Sequence, residues 1–209
     1  MDVRFSQREL KDLTVAWLAL SVAFTAFYFH SALQALFGGG GTDGVLPFLA
    51  YGFVISMGTA GVGFLLHELA HKVVAIHYGQ AAEFRADYNM LFLAVMAGLA
   101  GFLFAAPGAV YHRGFVTKRE QGLIALAGPV TNVGLVVAFA ALWPVSGLVG
   151  AIGALGVTIN ALLAGFNMIP FGPLDGKKVL NWSKLVWVAA AVPTIGGAIW
   201  LLFGGGISL

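Results

Sequence analysis

The chain has 209 residues, of which 59% are hydrophobic and 10% are charged, and its mean hydropathy is +0.90. Soluble domains are about 25% charged, so this composition predicts a membrane protein whose main partner is the lipid bilayer. The formal net charge of +2 and the lack of a basic run argue against nucleic-acid binding. The absence of cysteine excludes disulfides, thiolate ligands and cysteine nucleophiles, so a bound metal must be held by His, Asp or Glu.

Five apolar stretches are long enough to cross about 30 Å of hydrocarbon as helices. They are approximately Leu13–Phe37, Leu46–Tyr78, Gly122–Trp143, Leu148–Ile169 and Lys184–Phe203. We interpret the first as a span that is retained, because no small-residue cleavage signature follows the polar N-terminal segment. A sixth stretch, Met90–Ala106, is only about 17 residues long and carries glycines near its middle.

Weak strand character flanks this sixth stretch, at Ala82–Tyr88 and Ala109–Val116. The predicted fold is therefore an all-α polytopic membrane protein with five to six transmembrane segments and a short re-entrant or β-like element near the active site. A single membrane-embedded domain is expected over residues 1–209, with a core at about 46–180 and flanking spans at 13–37 and 184–203.

The distribution of Lys and Arg predicts the orientation of the spans. Arg4, Arg8 and Lys11 favour a cytoplasmic N-terminus, since the glycine-rich loop after the first span carries no basic residue. If Met90–Ala106 turns back without crossing, the later basic residues also lie inside. The charge rule thus favours a re-entrant segment.

The second predicted span contains the sequence His67-Glu68-Leu69-Ala70-His71. Positions i and i+4 share a helix face with Cβ atoms about 5–6 Å apart, so both imidazoles can bind one zinc ion. Glu68 projects from an adjacent face, where it can deprotonate a zinc-bound water and later protonate the leaving amine. Chance would give this pattern about 0.002 times in such a chain, and ionisable groups inside an apolar helix are costly unless compensated. The pattern predicts a metal site.

A catalytic zinc site also needs a third protein ligand and an open position. His77 lies about 120° around the helix from His71 and cannot join the pair. Four other candidates lie in segments that do not place them beside the pair His67 and His71: His30, Glu83, Asp87 and His112. Asp175 differs, because it follows the fourth long span in a segment broken by prolines, and irregular backbone at membrane depth is tolerated where it lines a cavity.

The motif HELAH on one span, with NMIPFGPLDG (Asn167–Gly176) after a later one, resembles the site-2 protease family of intramembrane zinc metalloproteases, in a compact form without PDZ or CBS domains. The segment AGPVTN (Ala127–Asn132) is similar to the Gly-Pro-x-x-Asn element of that family. The resemblance implies one zinc per chain held by His67, His71 and Asp175, with Glu68 as catalytic base. It also implies that Asn167 holds the substrate carbonyl or the oxyanion, and that the substrate is a transmembrane-helix protein.

A shared metal constrains the topology as well. If His71 and Asp175 bind one ion, they lie on the same side of the membrane, so the chain between them makes an even number of crossings. The two long spans between them already supply two crossings. Met90–Ala106 should therefore make no net crossing. By helix rise, His71 lies about 10 Å from the end of its helix, so the expected site is inside the bilayer of the cell membrane, nearer the cytoplasmic side.

Two other functions are compatible with parts of this pattern. A metalloprotease with a downstream glutamate ligand is disfavoured, because no Glu follows Glu120. A non-proteolytic zinc-binding protein or transporter would not need Glu68. The strand-like pieces could pair with an unwound substrate or could only cover the site.

Overall fold

The computed structural model describes residues 3–38, 44–102 and 108–203. Its helices in chain order are α1 (Gln7–Tyr28), α2 (His30–Phe37), α3 (Val45–Ser56), α4 (Val62–His77), α5 (Tyr88–Leu99), α6 (Lys118–Ala140), α7 (Gly147–Asn167), α8 (Asp175–Trp182) and α9 (Lys184–Phe203). A π-helical turn, Met57–Gly61, joins α3 to α4. Two strands, β1 (Ala81–Ala86) and β2 (Gly108–Arg113), pair in a two-stranded sheet.

Five helical segments of the described chain are long and apolar enough to cross a membrane. They are α1, the continuous helix Val45–His77, α6, α7 and α9. The predicted fold class, an all-α polytopic protein with a small β element, is confirmed. The protein is a multi-pass membrane protein whose apolar helices face a lipid bilayer.

The first span differs from its predicted bounds of Leu13–Phe37. Helix α1 begins at Gln7, because the Ser6 side chain accepts a hydrogen bond from the Glu9 N–H at 3.1 Å and caps the first turn. It ends at Tyr28, and the remainder of the predicted span forms the separate helix α2. The polar residues from Gln7 to Asp12 are therefore part of the helix.

Two of those polar residues are buried carboxylates, Glu9 and Asp12. The Phe84 N–H donates to Glu9 Oε1 at 3.0 Å, and the Ala86 N–H donates to Asp12 Oδ2 at 3.4 Å. The Tyr88 hydroxyl donates to Asp12 Oδ1 at 2.7 Å. The carboxylates thus bind alternate main-chain N–H groups of β1, which compensates their burial.

Helix α5 contains most of the described part of the short apolar segment Met90–Ala106. The 12 residues of α5 span about 18 Å, well short of the hydrocarbon core. The helix ends at Leu99, and Gly101 follows with φ of 80°; residues 103–107 lie outside the described ranges. Because the strands on either side of this segment pair with each other, the chain returns to the level at which it left, which agrees with the predicted lack of a crossing.

The chain divides into two compact units, so the prediction of a single domain over 1–209 stays a prediction. One unit contains Met1–Phe5, Gly63–Glu83 and Val110–Leu209. Within it α6 packs against α7 and α8, and α9 packs against α7 and α8. The other contains Ser6–Val62 and Phe84–Ala109, in which α1 packs against α3 and α5.

A small core in the first unit fixes the segment between α7 and α8. Ala125, Met168, Val179 and Ala191 form a buried cluster, and the Trp187 indole N–H donates to the Met168 carbonyl at 2.9 Å. These contacts hold both ends of the proline-containing segment, and therefore position the first residue of α8.

Candidate metal centre

The two histidines of HELAH lie one turn apart on α4 and face the same side. Their side chains are nearly fully buried, and the two rings are perpendicular with centroids 4.6 Å apart. The i, i+4 spacing in a helix gives this juxtaposition directly. The Nε2 atoms of both rings can therefore reach the same position in the interior of the unit.

Asp175, the first residue of α8, brings a carboxylate to the same point. Its Oδ2 lies 3.3 Å from Nε2 of His67 and 3.1 Å from Nε2 of His71. A tetrahedral zinc ion with ligand bonds of about 2.0–2.1 Å separates its ligand atoms by about 3.3 Å. The two distances to Oδ2 match this spacing. All three atoms lie within 4.8 Å of one another and form a candidate metal-binding group among the described residues.

Each histidine is oriented by a hydrogen bond at its other ring nitrogen. His67 Nδ1 contacts Asn132 Oδ1 at 2.5 Å, and His71 Nδ1 contacts the Ile124 carbonyl at 2.7 Å. Both partners are acceptors, so each Nδ1 carries the proton and each Nε2 presents a lone pair. Such contacts are what metal-binding histidines require.

Gly128 on α6 keeps the space beside the two histidines open. A Cβ atom there would lie 2.5 Å from Nε2 of His67 and 2.6 Å from Nε2 of His71. Any side chain at this position would occupy the place where an ion and a fourth ligand must fit. The absence of a side chain at Gly128, the glycine of the AGPVTN segment, thus leaves space beside the two histidines.

The charge of Asp175 suits a ligand. Burial alone would raise the pKa of its carboxyl group, but the adjacent His71 and His67 hold that pKa well below its usual value. Lys178, one turn along α8, donates to Oδ1 at 3.3 Å. The lysine engages the oxygen that does not face the histidines, which leaves Oδ2 for a metal.

Glu68 lies beside this group on α4 and is buried. The Val110 main-chain N–H on β2 hydrogen-bonds its carboxylate, and Oε2 is buried without a hydrogen-bond partner among the described residues. A buried acceptor oxygen without a donor is costly in the protein interior. Its position next to three candidate ligands suits it to accept a proton.

Comparison with known proteins identifies the family to which the chain belongs. The chain is 40% identical over 205 residues to the "Putative zinc metalloprotease MJ0611" of Methanocaldococcus jannaschii, covering 96% of this chain and 97% of that protein. It is 29% identical over 161 residues to YwhC of Bacillus subtilis, covering 66% of this chain and 69% of that protein. The chain belongs to this family of zinc metalloproteases.

A longer relative is also named as a zinc metalloprotease. The metalloprotease is 31% identical over 152 residues to Rip3 of Mycobacterium tuberculosis, which covers 68% of this chain and 34% of that protein. No family model and no solved structure matches the chain. The resemblance drawn from the two motifs is confirmed, and zinc is the metal that the family implies.

The donor set fits zinc by its chemistry as well as by its spacing. Two neutral imidazole nitrogens and one carboxylate oxygen leave a fourth position open, as in catalytic zinc sites. Calcium and magnesium prefer six or more oxygen ligands, which the group His67, His71 and Asp175 does not offer.

In the structure of the metalloprotease, the surroundings of Asn167 and His112 differ from those expected from the sequence. Asn167, expected to hold the substrate carbonyl, donates from Nδ2 to the Leu163 carbonyl of its own helix at 3.0 Å, and its catalytic role stays a prediction. His112 lies on β2, where burial, Lys178 and His71 lower the pKa of its imidazole. The sequence did not place His112 beside the histidine pair, whereas in the structure it is near enough to His71 for the two rings to interact electrostatically.

Two asparagines complete the surroundings of the ligands, and sequence reasoning assigned neither of them a role. Asn132 was noted only as part of the Gly-Pro-x-x-Asn element, and Asn160 was not noted. Both are fully buried in membrane-spanning helices of the metalloprotease. A polar amide inside a long apolar stretch was the available signal, since such groups are rare in spans and usually functional.

Proposed function

We propose that this protein is an intramembrane zinc metalloprotease of the site-2 type, which cleaves a peptide bond within or near a transmembrane helix of a membrane-protein substrate. The observation that carries the proposal is the meeting of His67, His71 and Asp175 in a buried site on a membrane-spanning helix, with Glu68 beside them. A general base within reach of a zinc position is the arrangement of a hydrolase.

The depth of the site supports cleavage inside the bilayer. His71 lies six residues before the end of α4 at His77, which corresponds to about 9 Å of helix rise. The ligands are thus below the surface of the membrane, but closer to the end of the span that leads to β1. A substrate bond cleaved there lies within the hydrocarbon region or at its boundary.

In this proposal the residues divide the chemistry among them. His67, His71 and Asp175 hold the ion and leave one position open. When bound, zinc supplies Lewis-acid chemistry that makes water nucleophilic at neutral pH and polarises the scissile carbonyl. Glu68 accepts the proton of the attacking water at Oε2 and transfers it to the departing amine nitrogen.

The strand β2 is the proposed guide for the substrate. Main-chain N–H groups on the edge of β1 that faces away from β2 are bonded to Glu9 and Asp12. We propose that an added strand pairs with the outer edge of β2 beyond Val110, whose own N–H is bonded to Glu68. Val110 on that strand contacts Glu68 directly. An unwound substrate paired with β2 would therefore pass the base in an extended form, with its exposed main-chain groups satisfied.

The experiment that tests the proposal maps cleavage sites in membranes. Protein N-termini are sequenced by mass spectrometry in cells that express either the wild-type chain or Glu68→Gln. We expect new termini in the wild type alone, within or at the boundary of predicted membrane spans. Cleavage confined to soluble domains far from any span would contradict the intramembrane assignment.

The proposed cytoplasmic side of the site predicts a labelling pattern. Basic residues on one side of the membrane include Arg113, Lys118, Arg119, Lys177, Lys178 and Lys184, and the positive-inside rule places this side in the cytoplasm. In the cysteine-free chain, we expect Ser146→Cys, between α6 and α7, to react with an impermeant reagent in intact cells. Arg113→Cys should react only after lysis; labelling of Arg113→Cys in intact cells would invert the orientation.

A further inference from the structure

Asn132 and Asn160 form a buried relay between helices α6 and α7. Both side chains are 0% exposed, and Asn132 Nδ2 donates to Asn160 Oδ1 at 2.9 Å. Asn160 Nδ2 donates to the Gly156 carbonyl at 2.9 Å, and Asn132 Nδ2 also contacts the Gly63 carbonyl at 3.3 Å. Polar groups at this depth need such partners, because lipid offers none.

The direction of every hydrogen bond in the relay follows from its two ends. A main-chain carbonyl only accepts, so the Asn160 atom that faces Gly156 must be the NH₂ group. Its oxygen then faces Asn132, which must present its own NH₂ group to Asn160 and to Gly63. The Asn132 oxygen is left to face His67, and Nδ1 of His67 must carry the proton.

We infer that Asn160 is a positioning residue for the metal centre. It fixes the orientation of the Asn132 amide, and through it makes His67 present an Nε2 lone pair toward the zinc position. The inference rests on the proposed function, because it assumes that His67 is a ligand. Asn160 does not touch the reacting atoms and acts only through Asn132.

The other histidine provides an internal contrast. His71 Nδ1 is held by the main-chain carbonyl of Ile124, which cannot turn to present a donor. His67 is held by an amide that can present either an oxygen or an NH₂ group. The orientation of His67 therefore depends on the relay and should respond to a change at Asn160. The orientation of His71 should not.

The backbone around the relay leaves room for this arrangement. A Cβ at Gly63 would lie 2.5 Å from Asn160 Oδ1, so the absence of a side chain lets α4 approach the amide closely. The same glycine supplies a carbonyl that binds Asn132. The relay thus connects α4, α6 and α7 at the level of the ligand-bearing turn.

The test measures metal affinity of the purified full-length chain, with zinc and with cobalt as a spectroscopic probe. We expect Asn160→Leu to weaken affinity by about 10–100-fold, the range for partners of metal ligands, and to alter the cobalt absorption bands. The matched control is Thr158→Val on the same helix. Among the described residues, the Thr158 hydroxyl donates to its own helix, to the Ala154 carbonyl at 3.1 Å. Thr158→Val should leave the metal affinity and the cobalt absorption bands unchanged.

A double variant separates orientation from packing. In Asn132→Asp both side-chain oxygens accept, so His67 has an acceptor whichever way the group turns. We therefore expect Asn160→Leu to change affinity by less than about threefold in the Asn132→Asp background. If Asn160→Leu gives no folded protein, Asn160→Ser, too short to reach Asn132, replaces it with the same expected loss.

Three results would overturn the inference. The first is wild-type metal affinity in Asn160→Leu, and the second is an equal loss with Thr158→Val. The third is an undiminished effect of Asn160→Leu in the Asn132→Asp background, which would indicate a packing effect. His67→Ala shows whether such a result also contradicts the proposed function. If His67→Ala retains wild-type metal affinity, the proposed ligand set is wrong as well. If it loses most of its affinity, only the positioning role of Asn160 is wrong.

Discussion

Replacing Glu68 by glutamine is expected to abolish proteolysis while the chain keeps its fold and its zinc. An amide has no oxygen basic enough to take a proton from water at neutral pH, and general-base catalysis contributes about 10²–10⁴-fold to rate. The Val110 N–H that contacts the carboxylate can still donate to the amide oxygen, so packing should be retained. The measurements are the turnover of a cleaved membrane substrate and the zinc content of the purified variant.

Glu120→Gln is the matched control for this substitution. Glu120 is the N3 residue of a capping box at the start of α6, whose N-cap is Thr117, and glutamine serves there as well as glutamate. We expect near wild-type cleavage from Glu120→Gln. Cleavage by Glu68→Gln at a comparable rate would mean that another group is the base, and it would revive the reading of the chain as a zinc-binding or transport protein.

The metal group could be predicted from sequence because its chemistry is local and rare. His67 and His71 are separated by one helical turn, which fixes their relation before any tertiary structure is known. Asp175 is distant in sequence but stands in a proline-broken segment at the end of a span. The structure places one possible ligand atom of each residue within 4.8 Å of the others, and their role as zinc ligands stays a prediction.

The parts that sequence did not predict depend on long-range partners. The helix start at Gln7 was missed because Glu9 and Asp12 resemble a solvated terminus, whereas their burial depends on partners distant in sequence, including the N–H groups of β1 and the Tyr88 hydroxyl. Asn160 was missed because nothing within its own helix identifies Asn132 as its partner. A polar residue in a span indicates that a partner exists, but the fold determines which one.

Metal binding should depend on Asp175 more strongly than on any residue outside the ligand group. Removing one of three protein ligands is expected to weaken zinc binding by more than the roughly 10–100-fold typical of supporting partners. Asp175→Ala should therefore lose over about 100-fold in affinity, measured by equilibrium dialysis of the purified protein. Asp175→Asn should lose less, because its amide oxygen remains a neutral, weaker ligand.

The fold should tolerate the change, since Val179 and not Asp175 anchors α8 in the core, and the helix start does not use the Asp175 side chain as a cap. A thermal unfolding measurement of the metal-free variant checks this directly. Asp87→Ala is the matched control: its carboxylate caps α5 through the Asn89 and Met90 N–H groups, and Asp87 belongs to the other unit. Undiminished zinc in Asp175→Ala, or an equal loss in Asp87→Ala, would remove Asp175 from the ligand set and leave the two histidines in need of another third ligand.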